Sequence, residues 1–495
     1  MKNKKRKTGL TNIPALLVTS LLFLCLQLYV QAQTTKQQSN QIDELLKSYV
    51  DIKQFNGNTL VVKDEKVVFS KSYGLADAEW GIKNERTTKF RIGSITKTFT
   101  AMLIMQLVEK KLISLDDHFD KFLPWYEKET AGKISIKNLL SHTSGLPNYT
   151  ERTDFYKEAA LLTITPATFA EKYCQYKTLL FEPGSKFHYC NTDYFLLGLI
   201  IEAVTGKSYS EVLQKNILEK AGMHNTGLDS IAAIVPKRAK GYNYGYEGFT
   251  NAYPINMATC IYAAGAIYST VDDLAQWEKA WQGNELLTEE SKKLFFTPVI
   301  NNHAYGLYVN KMKNGKTAIG HPGAINGFNS FFIQFKEDNI CIILLANQTL
   351  KTGDLDNISS GIYSILTNQS YQMPKKPLDV VLYEEYQKNG MLKMTATYQQ
   401  IKNDTTYNLR NSKTFLNDLG YTLLTDGKVK ESLTILKLAT EEFPNDVNTL
   451  DSYAEALKKD GQNILSLDYY KRILVLDPNN KSAQDAINDL QKKLK

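Results

Sequence analysis

Hydrophobic and polar positions follow two different periods along the chain, and the places where the period changes divide it. Thr59-Leu60-Val61-Val62 and Lys66-Val67-Val68-Phe69-Ser70 read as two strands of a hairpin around Asp64-Glu65, preceded by a short amphipathic helix over 41–50. From Ile95 the apolar residues continue without a breaker through Val108, the pattern of a buried helix. Further helices are predicted over 165–173, 194–201 and 270–277, the last with an acidic first turn. Near residue 320 the pattern returns to β. Ser330-Phe331-Phe332-Ile333-Gln334-Phe335 and Ile340-Cys341-Ile342-Ile343-Leu344-Leu345 are predicted strands, and 361–366 a closing helix. Strands first, helices between and strands last predict an α+β fold: one antiparallel sheet flanked by helices, with a helical cluster inserted. This domain is expected over 40–370, followed by a linker over 371–379 that contains Met373-Pro374-Lys375-Lys376-Pro377.

Beyond the linker the chain repeats itself. Gly427 and Gly461 lie 34 residues apart, as do Pro444 and Pro478, each proline followed by Asn. Leu419/Tyr453, Gly420/Ala454, Leu423/Leu457 and Leu433/Leu467 keep the same register. A helix–turn–helix period of this length resembles the tetratricopeptide repeat, which implies an all-α module over 380–495 serving contacts with a protein partner. Gly390 is placed in a degenerate earlier unit and 481–495 in a capping helix.

Composition alters this picture little, and charge alters it at one end. The 495 residues are 43% hydrophobic and 22% charged, as in a globular protein of more than one domain. The formal charge of +7 is concentrated: Lys2, Lys4, Lys5, Arg6 and Lys7 carry five of the positive charges and no acid precedes Asp43, leaving about +2 elsewhere. No basic patch points to nucleic acid. The charges precede an apolar run over 13–30 and then Val30-Gln31-Ala32, which reads as a secretory signal peptide over 1–32 and a periplasmic or secreted mature protein. A retained N-terminal anchor is the competing reading. A lipidated Cys25 is disfavoured, because Leu24 is too large for the preceding position. No later stretch is long and apolar enough to span a bilayer. Cys174, Cys190, Cys260 and Cys341 lack metal-ligand spacing and are expected as buried free thiols.

The candidate chemistry starts at Ser94. It opens the buried helix, and Lys97 follows three residues later, so both project from one face a turn apart. Ser94 is the only serine in the chain with Lys at that spacing. A lysine amine held neutral by burial can take the proton of a neighbouring hydroxyl and make it a nucleophile. Acyl transfer also needs a second proton shuttle and donors aimed at the oxyanion. Tyr189-Cys190-Asn191 supplies a phenol and an amide two residues apart. A glycine-bearing strand over 320–327, Gly320-His321-Pro322-Gly323-Ala324-Ile325-Asn326-Gly327, is positioned to supply a backbone N–H.

With Ser94-Ile95-Thr96-Lys97, Tyr189-Cys190-Asn191 and His321-Pro322-Gly323 in this order, and Leu140-Ser141-His142-Thr143-Ser144-Gly145 as supporting text, residues 40–370 resemble the serine β-lactamase and penicillin-binding-protein superfamily, specifically its class C-like branch. The resemblance implies Ser94 as nucleophile, Lys97 and Tyr189 sharing acid–base work, and Asn191 orienting Lys97 and the substrate. It implies that His321 and Gly323 line a third side, that the N–H groups of Ser94 and Ala324 form the oxyanion hole, and that no metal or other cofactor is needed. A second Tyr-x-Asn, Tyr308-Val309-Asn310, lies in a strand-like stretch and is set below Tyr189. Lys351-Thr352-Gly353 is read as a turn, and His142 as a loop histidine satisfied by local hydrogen bonds. Relatives that bind β-lactams or peptide carboxylates carry a cation in the third motif. His321 stands there instead, and a histidine is only partly charged at neutral pH. An exported esterase- or peptidase-like serine hydrolase acting on a small-molecule or peptide ester or amide is therefore expected. The alternative is a catalytically silent protein that binds peptidoglycan-like ligands and recruits partners through its repeats.

Overall fold

The computed structural model describes residues 36–245, 248–350, 354–408 and 412–494. The signal-peptide stretch over 1–32 and the Lys-Thr-Gly at 351–353 lie outside the described residues. The chain divides into two compact units. One holds the residues up to Asn243 with Thr250–Gln372, the other Tyr244–Phe249 with Met373–Lys495.

The first unit is built on six antiparallel strands: β1 (Gly57–Lys63), β2 (Lys66–Tyr73), β3 (Tyr308–Lys311), β4 (Thr317–Ile325), β5 (Phe328–Phe335) and β6 (Ile340–Ala346). Their order across the sheet is β3-β4-β5-β6-β1-β2, so strands from the two ends of the domain meet at β6 and β1, with Leu60 opposite Ile343. The apolar run of β6 follows from its central position, because alternate side chains enter different cores. Ile340, Ile342 and Leu344 face helix α1 (residues 36–51) and helix α4 (Asp354–Leu366), packing with Leu45, Leu46, Ile358 and Ile362. Cys341, Ile343 and Leu345 face the inserted helices.

Two inserted helices position the chemistry. Helix α2 (Thr96–Glu109) is buried on every side from Thr96 to Leu107, which is why its sequence shows no polar stripe. Helix α3 (Asn191–Thr205) packs against it, buried from Thr192 to Ile201, and ends at Gly206 in the left-handed region. All four described cysteines are buried and free.

The second unit is helical. Leu378–Ile401 is interrupted at Gly390 (φ +79°), and five helices follow: Ser412–Thr425, Val429–Glu442, Val447–Lys459, Asn463–Leu476 and Lys481–Lys493. The 34-residue period is visible as hydrogen bonds as well as residues. Ser432 Oγ donates to the Gly420 carbonyl at 2.7 Å, and Ser466 Oγ to the Ala454 carbonyl at 2.8 Å. Within the linker stretch Lys376–Pro377 pairs in parallel with Tyr407–Asn408. Among the described residues no helix is long and apolar enough to cross a membrane.

Candidate active site

Ser94 sits in a single 3-10 turn, Gly93–Ile95, between the short strand Phe90–Arg91 and α2. Gly93 has φ +51°, and a Cβ there would lie 2.8 Å from the Ala324 nitrogen. A Cβ on Gly323 would lie 2.0 Å from the Ile92 carbonyl oxygen and 2.2 Å from Ser330 Oγ. Two glycines thus let β4 press its backbone against the serine turn, and Ser330 Oγ donates to the same Ile92 carbonyl at 2.8 Å.

Lys97 is fully buried beneath Ser94. Its Nζ lies 3.1 Å from Ser94 Oγ, 2.8 Å from Asn191 Oδ1 and 2.7 Å from the Ala264 carbonyl oxygen. Burial pulls its pKa down to about 7, against a smaller opposing pull from Cys190 and Asp193. The amide oxygen and the carbonyl can only accept, so a neutral amine spends its two N–H groups on them. Its lone pair is then left facing Ser94. Asn191 is held in the required orientation because its Nδ2 donates to Thr150 Oγ1 at 2.9 Å.

Tyr189 packs over Lys97, whose Nζ lies 4.9 Å from the ring centre. Burial pushes its phenol far above the ordinary value, and a hydrogen-bonding interaction with Ser94 works weakly the other way. The phenol therefore keeps its proton near neutrality and is suited to donating rather than resting as phenolate. His142 brackets it: the His142 carbonyl accepts from His188 N–H at 2.9 Å, and Nδ1 from Cys190 N–H at 3.2 Å. Asp193 Oδ2 lies 3.3 Å from the same Nδ1 and Ser144 Oγ donates to Asp193 Oδ1 at 2.5 Å. Burial drives the His142 pKa down, so the imidazole is held neutral, and drives the Asp193 pKa up. Local bonds satisfy Nδ1 as expected but not Nε2, which is buried without a partner.

The expected site residues converge. Ser94, Tyr189, Asn191, His321, Gly323 and Ala324 line one cleft of about 670 Å³, with Lys97 beneath its floor. Asn191 is the first residue of α3 rather than part of the preceding loop. His321 requires a correction: it is not partly charged. It is buried, and its burial and the nearby Lys97 hold it well below its ordinary pKa and hence neutral. Its Nδ1 faces the Pro322 carbonyl, and its ring lies 5.2 Å from that of Tyr308, which also lines the cleft. Sequence reasoning missed Thr150 and the Ala264 carbonyl, neither of which sits in a recognisable motif, and set Tyr308 aside. Among the described residues no group of three His, Cys, Asp or Glu is placed to hold a metal ion.

The family model described as Beta-lactamase matches residues 42–360. The chain is 27% identical over 362 residues to penicillin-binding protein 4* of Bacillus subtilis, an alignment spanning 67% of this chain and 78% of that protein. It is 30% identical over 315 residues to the teichoic acid D-alanine hydrolase of Staphylococcus aureus, spanning 62% and 73% respectively. Among solved structures, the penicillin-binding protein from Bacillus halodurans superposes with a TM-score of 0.57 at 28% identity, covering 65% of this chain and 98% of that one.

Proposed function

The chain belongs to the beta-lactamase family, and from that premise we propose that it is an exported serine hydrolase of the class C-like branch that cleaves an ester or amide through an acyl-enzyme on Ser94. The single observation that carries this reading is the hydrogen-bonding set of Lys97: two obligate acceptors at 2.8 and 2.7 Å and one hydroxyl at 3.1 Å. Lys97 takes the Ser94 proton as Oγ attacks the substrate carbonyl. Tyr189 relays a proton to the leaving group, and the N–H groups of Ser94 and Ala324 receive the developing oxyanion. Water then attacks the acyl-enzyme with the proton path reversed, and Ser94 is released.

The neutral His321 supports an ester or peptide-like substrate over a β-lactam, since it brings no positive charge to the third motif. The similarity to a teichoic acid D-alanine hydrolase supports D-alanyl esters as the first substrates to assay. The charged and then apolar N-terminus supports export by a signal peptide, and the 34-residue helical period supports a tetratricopeptide module that docks a protein partner.

The test is labelling of the purified protein by a fluorophosphonate, alongside turnover of p-nitrophenyl esters, D-amino-acid amides and nitrocefin. Ser94→Ala is expected to remove the label, to lower turnover by about 10³-fold or more, and to leave the fold intact. Labelling that persists in that variant rules out Ser94 as nucleophile.

A further inference from the structure

The rim of the Ser94 cleft is held by a closed ring of hydrogen bonds that the hydrolytic machinery does not use. Tyr156 Oη donates to Asn326 Oδ1 at 3.0 Å, Asn326 Nδ2 donates to the Tyr253 carbonyl at 3.2 Å, and Tyr253 Oη donates to the Tyr156 carbonyl at 2.9 Å. The two phenol rings also meet edge to face, 5.7 Å apart. Three separate segments are tied together in this way: the π-helical turn Phe155–Ala159, the loop carrying Tyr253, and the tip of the β4–β5 hairpin.

Tyr156 and Asn326 line the same cleft as Ser94, yet Tyr156 is 45% exposed and Tyr253 44% exposed, so the ring stands at the mouth and not in the core. The hairpin tip is fixed from behind. Gly327 has φ +75°, and a Cβ there would lie 2.5 Å from the Gly241 carbonyl carbon and 2.6 Å from the Ala252 Cβ. The Tyr156 side chain forms the exposed part of the cleft wall facing this closely packed tip.

We propose that Tyr156, clasped by Asn326 and Tyr253, is a specificity-determining residue that limits the length of the substrate chain the cleft admits beside Ser94. This rests on the Ser94 hydrolase reading. The clasp favours short acyl or alcohol groups, because a longer chain needs the space the Tyr156 ring occupies or must break its hydrogen bond to Asn326 and its ring contact with Tyr253 to displace it.

The experiment measures kcat/KM for two ester series on the full-length protein. One is the p-nitrophenyl esters from acetate to octanoate, and the other the acetate esters of alcohols of the same lengths. Wild type, Tyr156→Phe, Tyr156→Ala and Asn326→Ala are compared, with melting temperatures recorded for each. In Tyr156→Ala the long-to-short ratio of kcat/KM is expected to rise about tenfold in at least one series. Asn326→Ala is expected to give a smaller rise. Tyr156→Phe, which keeps the ring and loses one hydrogen bond, is expected to fall between wild type and Tyr156→Ala. A ratio unchanged in both series overturns the proposal, and so does a uniform fall at every length that tracks the melting temperature, since that is the mark of a purely structural residue. The hydrolase reading fails separately: it is refuted when wild type neither takes a fluorophosphonate on Ser94 nor turns over the shortest ester, and the clasp proposal falls with it.

Discussion

Asn191→Asp isolates the protonation state of Lys97 with almost no change of shape. It places a carboxylate oxygen where the amide oxygen now lies 2.8 Å from Nζ. Two unit charges at that separation attract by about 6 kcal/mol at an effective dielectric near 20, equivalent to about four pKa units at 1.36 kcal/mol each. The new carboxylate is itself removed from water, which opposes its ionisation, so about two units is the expected net rise for Lys97. In wild type, burial holds this amine at about 7. The lone pair that activates Ser94 exists only above that value, so kcat/KM should climb through pH 7 and level off on the alkaline side. In the variant the same limb should move to about pH 9, with activity at pH 7 about 50-fold below wild type and largely restored above pH 10. The assay is a pH profile of kcat/KM from 5 to 10.5 with an uncharged p-nitrophenyl ester, corrected for spontaneous hydrolysis, with Asn191→Ala alongside. Asn191→Ala removes the acceptor without adding charge, and should lower the plateau without moving the limb upward. If Asn191→Asp lowers the plateau and leaves the limb near pH 7, Lys97 is not the base and the argument from its hydrogen-bonding set fails.

Sequence pattern and structure agree where one physical requirement dominates. The run Ile340–Leu345 had to be a central strand, because a segment that is apolar at every position must bury both faces, and β6 does so against α1 and α4 on one side and the inserted helices on the other. The helix after Ser94 was legible for a related reason: no breaker and no polar face. β4 shows how a strand tolerates breakers. Its outer neighbour β3 covers only Thr317–Gly320, so Pro322 and Gly323 fall on an open edge that bears against the serine turn. The motif residues were legible because acyl transfer demands particular side chains at fixed spacing. The groups that hold them were not. Ala264 acts through its carbonyl, which every residue type has, Thr150 through one hydroxyl of no distinctive context, and His142 through a backbone bracket created only when residues 188–190 fold against it. The charge of His321 was misjudged because pKa follows burial, and burial depends on the partners across the cleft.

Two further predictions concern the supports of the site. In His142→Ala the Cys190 N–H loses its acceptor and the ring its packing against Tyr189, 4.5 Å away between centroids. A loss of about 1–3 kcal/mol in urea-denaturation stability is expected, together with slower fluorophosphonate labelling of Ser94, by about tenfold; unchanged labelling would separate His142 from Tyr189. Gly323→Ala tests the close approach of β4 to the nucleophile. The added methyl would lie 2.0 Å from the Ile92 carbonyl oxygen, against an ordinary contact of about 3.5 Å, and Ile92 is two residues from Ser94. Ser330 can turn its hydroxyl away, but a backbone carbonyl cannot, so β4 and the serine turn must separate by more than about 1 Å. A displacement of that size between nucleophile and oxyanion donors costs about 100-fold in kcat. Gly320→Ala is the control, because its methyl meets the Phe332 carbonyl oxygen at the same 2.0 Å but on β5, away from the serine turn. Both variants should lose stability by comparable amounts, and only Gly323→Ala should lose kcat out of proportion to its melting temperature. Equal losses of kcat in the two would mean that the approach of β4 to the Ile92–Ser94 turn serves the sheet and not the chemistry.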